Sequence, residues 1–572
     1  MFRLGRFLIG PVAAGALTPF LPIVIAGCLW SIVIFYFLWK AASPKRATVV
    51  FLFLLTALSL FRLESFRFRP YWDSILGCFA EATFLLKHNF DYSLLIHQQP
   101  YLLGGPKVYV LRLYPTYLAL LMKLLPSSNL FFPAVHLLGF IAAGIALTVF
   151  FRLLHTCMDR QYAALGVVLL MMDPLFLAQA EAINMETWIV LAGLLGLSAL
   201  VRRRMLLTAA FSLLAILVKG SGVVFSAALL GTYIVISRDG RPRYLRSIGL
   251  LSIPLLLFIA YVLYVPALGL QGDFEMGWFS GLLPMIDILR RYLPLTYALS
   301  VVLGVFGIYA FFHAGMIAVR DRRSSRLGAL FHRVRGVLQS THPVLMFSLI
   351  FLVSFHLFHM QFGNILPRYF LIQAPFLLVA LLYVVRFEFV HRGFRLAFLL
   401  LCLAWTLVNV KGDLLEKDLS SNGHYLESTL AYVDDLRFQT GLAKLLESHY
   451  GDRWIMTSWP MTQMLSLPQL GYVEKPMKVI SAGRPCRYCG SALYLPEVRS
   501  GFEWKDTVAC FVDNLFSGKD AGLFQYDPLE EFREGQRRAQ IYQATPKRAI
   551  TGGTQRPSHR RRGVHALSAE AD

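Results

Sequence analysis

The chain has 572 residues, of which 56% are hydrophobic, and its mean hydropathy is +0.56. Soluble proteins contain about 45–50% apolar residues, so this composition excludes a soluble globular protein and predicts a polytopic membrane protein. The formal net charge of +21 would indicate nucleic-acid binding in a soluble chain. Here most Arg and Lys lie in short breaks between apolar runs, where membrane topology explains them.

Apolar runs that could cross a bilayer recur through the first ~410 residues, although several are shorter than the usual ~20 residues. They lie at 17–39, 47–62, 129–151, 162–180, 187–201, 205–218, 221–237, 246–268, 293–318, 343–361, 370–386 and 394–410. The first run lacks a convincing cleavage site, so we expect a retained helix rather than a signal peptide. Because Pro11, Pro19 and Pro22 interrupt residues 7–39, that stretch forms one helix or two, which leaves 12–13 transmembrane helices.

Basic residues cluster in every second break after residue 129, as the positive-inside rule requires of cytoplasmic loops. The clusters lie at 152–160, 202–204, 238–246, 320–335 and 386–395, and only Arg290 and Arg291 go against the alternation. This pattern assigns the opposite, outward side to 63–128, 173–187, 219–220, 271–292, 362–369 and the chain beyond 411.

The chain divides into five parts by composition. Residues 1–62 are N-terminal transmembrane helices, 63–128 form a long outward loop, and 129–410 form the transmembrane core. The loop contains two short apolar pieces, 74–86 and 116–125, which are typical of interfacial helices. Residues 411–544 predict a small soluble α/β domain, and the basic segment 545–572 predicts a disordered tail. Cys486, Cys489 and Cys510 favour a disulfide over zinc, because no second CxxC or histidine pair accompanies them.

Two groups of polar residues in the long outward loop are candidates for chemistry. Asp73 follows Trp72 just beyond an apolar helix, where it is either a proton acceptor with a raised pKa or the N-cap of the next helix. Arg112 and Tyr114 come later in the same loop. A cation on this side opposes the positive-inside rule. Either a phosphate-bearing ligand or anionic lipid would explain why the cation is there.

The remaining candidates lie at outward helix ends. Asp173 and Glu186 belong to a crowded polar stretch that also contains Gln179, Glu181 and Asn184. Glu186 opens a helix, so it is either a site residue or an acid favoured by the helix dipole. Lys219 and the pair Arg368 and Tyr369 lie on the same side, and such cations need an anionic partner. That partner is either a ligand or, through a structural ion pair, Glu186 or Asp173.

These motifs, in this order, resemble those of the GT-C superfamily of membrane glycosyltransferases. The similarity is to the branch with the protein O-mannosyltransferases and the aminoarabinose and galacturonic acid transferases of lipid A. The motifs are the acid at Trp72-Asp73-Ser74, the proline-marked short helix at Tyr114-Pro115, the stretch from Pro174 to Glu186, Val218-Lys219-Gly220, and Arg368-Tyr369 followed by Pro375. The chain departs from the family at two points. Arg112-Leu113-Tyr114-Pro115 replaces the residues that usually lead into the short helix, and Glu186 replaces the usual Asp.

The resemblance implies a GT-C-like helical bundle that transfers a sugar, with inversion, from a polyprenyl-phosphate donor to an acceptor hydroxyl. It implies that Asp73 is the general base, that Arg112, Lys219 and Arg368 stabilise the leaving phosphate, and that Glu186 orients the sugar or the partners of Asp73. The acceptor is a protein, a lipid or a glycan, and nucleic acid is not expected. We expect an integral protein of the bacterial plasma membrane, with an outward-facing site.

A single acid at position 73 does not favour a required divalent metal, although Asp173 or Glu186 could complete a metal site. The alternative function is a polytopic transporter or flippase of a lipid-linked or anionic substrate. That class predicts charged residues near helix midpoints and two similar halves, neither of which the sequence shows.

Overall fold

The computed structural model describes residues 21–41, 46–71, 74–92, 113–237, 240–267, 341–360, 367–387, 432–457, 460–481, 507–512, 524–534 and 537–546, with residue 430 and a few positions between 393 and 404. Its helices before residue 388 are α1 Leu21–Tyr36, α2 Ala47–Phe61, α3 Glu81–Lys87, α4 Leu113–Leu124, α5 Ser128–Cys157, α6 Arg160–Met171, α7 Pro174–Glu181, α8 Glu186–Val201, α9 Met205–Val218, α10 Val223–Ile236, α11 Arg241–Ala267, α12 Pro343–His359 and α13 Ala374–Phe387. Shorter π or 3₁₀ turns are Phe37–Ala41, Leu63–Arg67, Ile75–Ala80, Gly220–Gly222 and Pro367–Gln373.

The surface of these helices is that of an integral membrane protein. Large apolar side chains face outward, including Leu206, Leu256 and Leu263, which are 70%, 60% and 71% exposed. Water would penalise this exposure, whereas lipid tails do not. Among the described residues, Ser128–Cys157, Arg241–Leu263 and Pro367–Arg386 are long and apolar enough to cross a membrane by themselves. Six shorter apolar helices of 10–17 residues accompany them, so the number of crossings stays a prediction.

The structure confirms most predicted helices within a few residues and corrects one. The run 205–218 matches α9, and 47–62 matches α2 with a difference of one residue at its end. The run 162–180 was wrong as a single helix, because α6 and α7 meet at a 62° bend. Pro174 cannot donate to the preceding turn, and Asp173 caps the new helix by accepting from the Phe176 amide at 3.0 Å. The predicted crossing at 293–318 and most of 394–410 lie outside the described residues.

The helix bundle has two ends, and different charged residues lie at each of them. At one, Arg386 forms a 2.9 Å ion pair with Asp159, and Arg160 donates a 2.8 Å hydrogen bond to the carbonyl of Leu38. These residues come from breaks that the charge alternation places on the cytoplasmic side. Arg368 lies at the other end of the 20-residue helical run that ends at Arg386, about 30 Å away at 1.5 Å per residue. We call this opposite end the polar end.

The predicted interfacial pieces are helical and pack against the core. Ile75–Ala80 and α3 form one, and α4 forms the other. The Phe79 ring lies 5.9 Å from Phe131 and 6.0 Å from Phe132 on α5, and Tyr114 and Leu118 of α4 are buried. These contacts fix the described helical pieces of the segment 63–128 to the polar end.

The C-terminal region is a small α/β domain, as predicted. It contains α14 Tyr432–Tyr450, β1 Trp454–Thr457, α15 Met461–Ser466, β2 Lys478–Ser481, β3 Thr507–Val512, β4 Phe524–Glu534 and β5 Arg537–Pro546. The sheet order is β2-β1-β3-β5-β4, with β1 parallel to β2 and β3, and β5 antiparallel to β3 and β4. The predicted boundary at 544 is two residues short, because β5 continues to Pro546. Cys486, Cys489 and the predicted disordered tail beyond Pro546 lie outside the described residues.

Candidate functional site

The polar end brings four of the predicted site residues together from three separate parts of the chain. Glu186 is the first residue of α8, Lys219 follows α9, and Arg368 and Tyr369 belong to the 3₁₀ turn before α13. We call these four the Glu186 cluster. Asp73 and Arg112, the predicted base and phosphate ligand, lie outside the described residues.

Glu186 binds both cations through the same oxygen. Lys219 Nζ lies 2.6 Å from Glu186 Oε1, and Arg368 Nε lies 3.3 Å from it. The side chains of Glu186 and Arg368 are 2% and 8% exposed, whereas Lys219 is 21% exposed. The predicted structural ion pair with Glu186 therefore forms, and its lysine remains within reach of a ligand.

Local backbone geometry directs Lys219 toward this carboxylate. α9 ends at Val218, Lys219 is extended, and the chain turns through Gly220–Gly222 into α10. A Cβ atom at Gly222 would lie 2.3 Å from the backbone of Ala215, so only glycine fits this close turn. The ammonium group lies 4.0 Å from the centroid of the Tyr369 ring, a favourable cation–π distance.

Tyr114 lies near the cluster through aromatic contacts, whereas Asp173 does not join it in any described contact. The Tyr114 ring lies 6.4 Å from Trp188, two residues after Glu186 on α8. Tyr117, one helical turn farther along α4, lies 5.6 Å from Trp188. Asp173 instead caps α7 by accepting from the Phe176 amide, a contact that the sequence analysis did not predict for it.

A second buried carboxylate, Glu181, was not predicted as a paired residue. Arg62 donates to it in bidentate fashion, from Nε to Oε2 at 2.6 Å and from Nη2 to Oε1 at 3.1 Å. Tyr432 of the C-terminal domain donates to Oε1 at 2.6 Å. Arg62 and Tyr432 are 119 and 251 residues away from Glu181 in sequence, so no local spacing could reveal the pairing.

Between the two carboxylates, Asn184 connects to the segment that carries Asp73. Ser74 Oγ donates to Asn184 Oδ1 at 2.9 Å, and Asn184 Nδ2 donates to Gln179 Oε1 at 3.1 Å. All three side chains are buried. A small cavity adjoins this chain of hydrogen bonds, and its lining includes Arg69, Ser74, His136, Asn184 and Tyr432. Ser74 directly follows Asp73 in the sequence, so the predicted base is the chain neighbour of a residue in this hydrogen-bonded chain.

Within the part of the chain that the structure describes, no group of three or more His, Cys, Asp or Glu side chains is placed to hold a metal ion. Asp73 is not among these residues, so the prediction about metal dependence stays untested.

Comparisons with known proteins give a distant structural likeness. No protein-family model matches the chain, and no curated protein matches it. Solved structures that it resembles include ArnT from Cupriavidus metallidurans in the apo state, with TM-score 0.47, and the same protein bound to undecaprenyl phosphate, with TM-score 0.45. In each case the identity is 14%, and the match covers 87% of this chain and 99% of the other. A likeness at this TM-score carries no argument about function.

The Glu186 cluster can bind an anion on chemical grounds. An ammonium and a guanidinium group lie against one carboxylate oxygen at the end of apolar helices. Both groups donate strong, charge-assisted hydrogen bonds to phosphate or carboxylate oxygens. A phosphate that approached Lys219 from its exposed side would share these donors with Glu186, as expected of a site that binds and releases an anion.

Proposed function

We propose that this chain is a GT-C-type glycosyltransferase that uses a sugar linked to a polyprenyl phosphate. The observation that carries the proposal is the convergence of Glu186, Lys219, Arg368 and Tyr369 at the polar end. These residues were predicted to form one site from the sequence, and their chain positions are far apart. A polyprenyl donor suits the position of the cluster, because its phosphate lies at the membrane surface while its tail lies in the bilayer.

In the proposed reaction, the acceptor hydroxyl oxygen attacks the anomeric carbon of the sugar. The bond between that carbon and the phosphate oxygen breaks, and the phosphate leaves with the electron pair. The proton of the hydroxyl passes to the carboxylate of Asp73, and attack opposite the leaving group inverts the anomeric configuration.

Lys219 and Arg368, with Arg112 as a further predicted ligand, stabilise the charge that develops on the leaving phosphate. Glu186 holds the two described cations in place, Tyr369 supplies aromatic surface beside Lys219, and Tyr114 packs near Trp188 on α8. We also propose that the cations make a divalent metal unnecessary, with Asp173 acting as a helix cap. The bacterial plasma membrane with an outward-facing site is our proposed location, supported by the alternation of basic loops. The acceptor is a protein, a lipid or a glycan of the cell envelope.

Sugar transfer in detergent tests the proposal. Purified wild-type protein and the Asp73→Asn variant are incubated with radiolabelled polyprenyl-phosphate sugars and a membrane extract as acceptor source, with and without EDTA. We expect transfer by the wild type in both conditions and a rate about 10²–10⁴-fold lower in the variant, since it loses its proton acceptor. Transfer by neither protein contradicts the proposed enzyme, equal transfer by both contradicts Asp73 as base, and loss in EDTA contradicts metal independence.

A further inference from the structure

A short connection, residues 182–185, joins α7 to α8, and a buried carboxylate lies at each end of it. Glu181 is the last residue of α7, and Glu186 is the first residue of α8, where it binds Lys219 and Arg368. We call residues 182–185 the α7–α8 connection. At no more than about 3.6 Å per residue, the chain keeps the Cα atoms of the two carboxylates within about 18 Å of each other.

Buried hydrogen bonds hold both sides of this connection. Gln179 on α7 accepts twice, from Asn184 Nδ2 to its Oε1 at 3.1 Å and from Thr187 Oγ1 to its carbonyl oxygen at 2.9 Å. His136 Nδ1 on α5 lies 2.7 Å from the carbonyl oxygen of Glu181, which can only accept, so the ring is the donor. The polar side chains of His136, Gln179, Asn184 and Thr187 are at most 5% exposed. The first turn of α8 is thereby bonded to α7.

The C-terminal domain adds a bond at the start of the connection. Tyr432 on α14 donates to Glu181 Oε1 at 2.6 Å, the oxygen that also accepts from Arg62 Nη2. The Tyr432 ring is 3% exposed and lies 5.5 Å from the Tyr71 ring and 6.3 Å from the Phe68 ring, so its packing directs the hydroxyl. Burial raises the pKa of the Tyr432 phenol well above its ordinary value, and the Glu181 carboxylate raises it further. The phenol therefore stays a donor at physiological pH.

We infer that the C-terminal domain positions the Glu186 cluster, with Tyr432 as a positioning residue that acts through Glu181 and the α7–α8 connection. The assignment of the cluster as a phosphate site rests on the proposed function. A site that is already ordered binds its ligand more tightly than one that must be ordered on binding. The bond from Tyr432 supplies part of this order from a separate domain.

The Tyr432→Phe variant tests the inference, because it removes one hydroxyl and keeps the buried ring. Hydrogen exchange of the full chain in detergent, measured by mass spectrometry, should become roughly tenfold faster in peptides spanning 182–187. The Kd of undecaprenyl phosphate, measured by native mass spectrometry, should rise about fivefold, because the cations of the cluster are held less firmly.

Two control variants separate the Tyr432 bond from other contacts of α14. Tyr450→Phe makes the same substitution at the other end of this helix and removes a 3.1 Å hydrogen bond to Glu530 within the C-terminal domain. Arg437→Ala removes an exposed 2.9 Å contact with Glu64. Neither control should change the Kd or the exchange of the α7–α8 connection.

A second measurement uses the wild type and needs no variant. Because coupling between two sites is reciprocal, undecaprenyl phosphate should slow hydrogen exchange in peptides spanning 432–440 of α14. In Tyr432→Phe, at equal occupancy of the ligand, exchange in these peptides should not respond to it. A purely structural role of the hydroxyl would not produce this dependence on the ligand.

Exchange of 182–187 at the wild-type rate in Tyr432→Phe overturns the inference. Faster exchange with an unchanged Kd also overturns it, because the domain then holds the connection without positioning the cluster. Wild-type exchange in 432–440 that ignores the ligand has the same consequence. If the wild type does not bind undecaprenyl phosphate, the proposed function fails instead, while exchange in 182–187 still decides whether the C-terminal domain fixes the α7–α8 connection.

Discussion

Two buried carboxylates, five residues apart at the polar end, are paired with cations of different exposure. The Glu181 side chain is 0% exposed and its partner Arg62 is 5% exposed. Both oxygens of Glu181 accept hydrogen bonds, from Arg62 and from Tyr432. Glu186 is equally buried, but both of its cations bind one oxygen, and Lys219 is 21% exposed.

This difference separates a structural ion pair from a candidate ligand site. The Arg62–Glu181 pair is bidentate and connects the end of α2 and α7 to the C-terminal domain, and neither of its side chains is more than 5% exposed. In the Glu186 cluster, Lys219 is partly exposed and can exchange its contact with Glu186 for a contact with a ligand. Burial of charge by itself thus does not distinguish a candidate ligand site from a structural ion pair in this protein, and we use partial exposure of the paired cation as the criterion.

Removal of the Glu181 carboxylate should cause the largest loss of stability. In Glu181→Ala the Arg62 guanidinium stays buried without its bidentate partner, which costs about 3–5 kcal/mol. The matched variant Glu186→Ala should lose less, because Lys219 can turn toward water and Arg368 loses a 3.3 Å contact rather than a bidentate pair. Thermal unfolding in detergent, followed by tryptophan fluorescence, compares the two. Equal losses in both variants would mean that the Glu186 cluster is also a closed structural pair.

Removal of the Asp173 carboxylate should have a smaller effect, confined to stability. Asp173→Ala loses the helix cap on the Phe176 amide, which costs about 1 kcal/mol. Asp173→Asn is the matched control, because asparagine caps helices about equally well. Sugar transfer by both variants should equal that of the wild type once folded protein is normalised. A large drop in transfer by Asp173→Asn would return Asp173 to the site.

The sequence predicted the helices well because the bilayer imposes one simple condition on them. Each crossing must satisfy its backbone internally and expose apolar side chains, so hydropathy alone locates α9 and α2 almost to the residue. Hydropathy did not reveal the bend between α6 and α7, because both helices are apolar. The Asp173-Pro174 pair was the signal that could have revealed it.

The Glu186 cluster was predictable because its cations oppose the predicted alternation of basic loops. In the predicted topology Lys219 and Arg368 lie on the side where cations are rare, so each implied an anionic partner nearby. Arg62 also ends an apolar run at the predicted outward side, but its sequence position did not indicate that Glu181 is its partner. Tyr432, the other partner of Glu181, belongs to the C-terminal domain. Contacts of this range depend on tertiary packing, which residue spacing does not encode.

Binding of a polyprenyl phosphate without its sugar tests the central claim most directly. The dissociation constants of undecaprenyl phosphate for the wild type, Lys219→Met and the exposed control Arg437→Ala can be compared by native mass spectrometry. Loss of a charged hydrogen bond worth about 1.5–3 kcal/mol should weaken binding at least tenfold in Lys219→Met. Arg437→Ala should bind like the wild type. Equal affinity of wild type and Lys219→Met would contradict the assignment of the Glu186 cluster as the phosphate site.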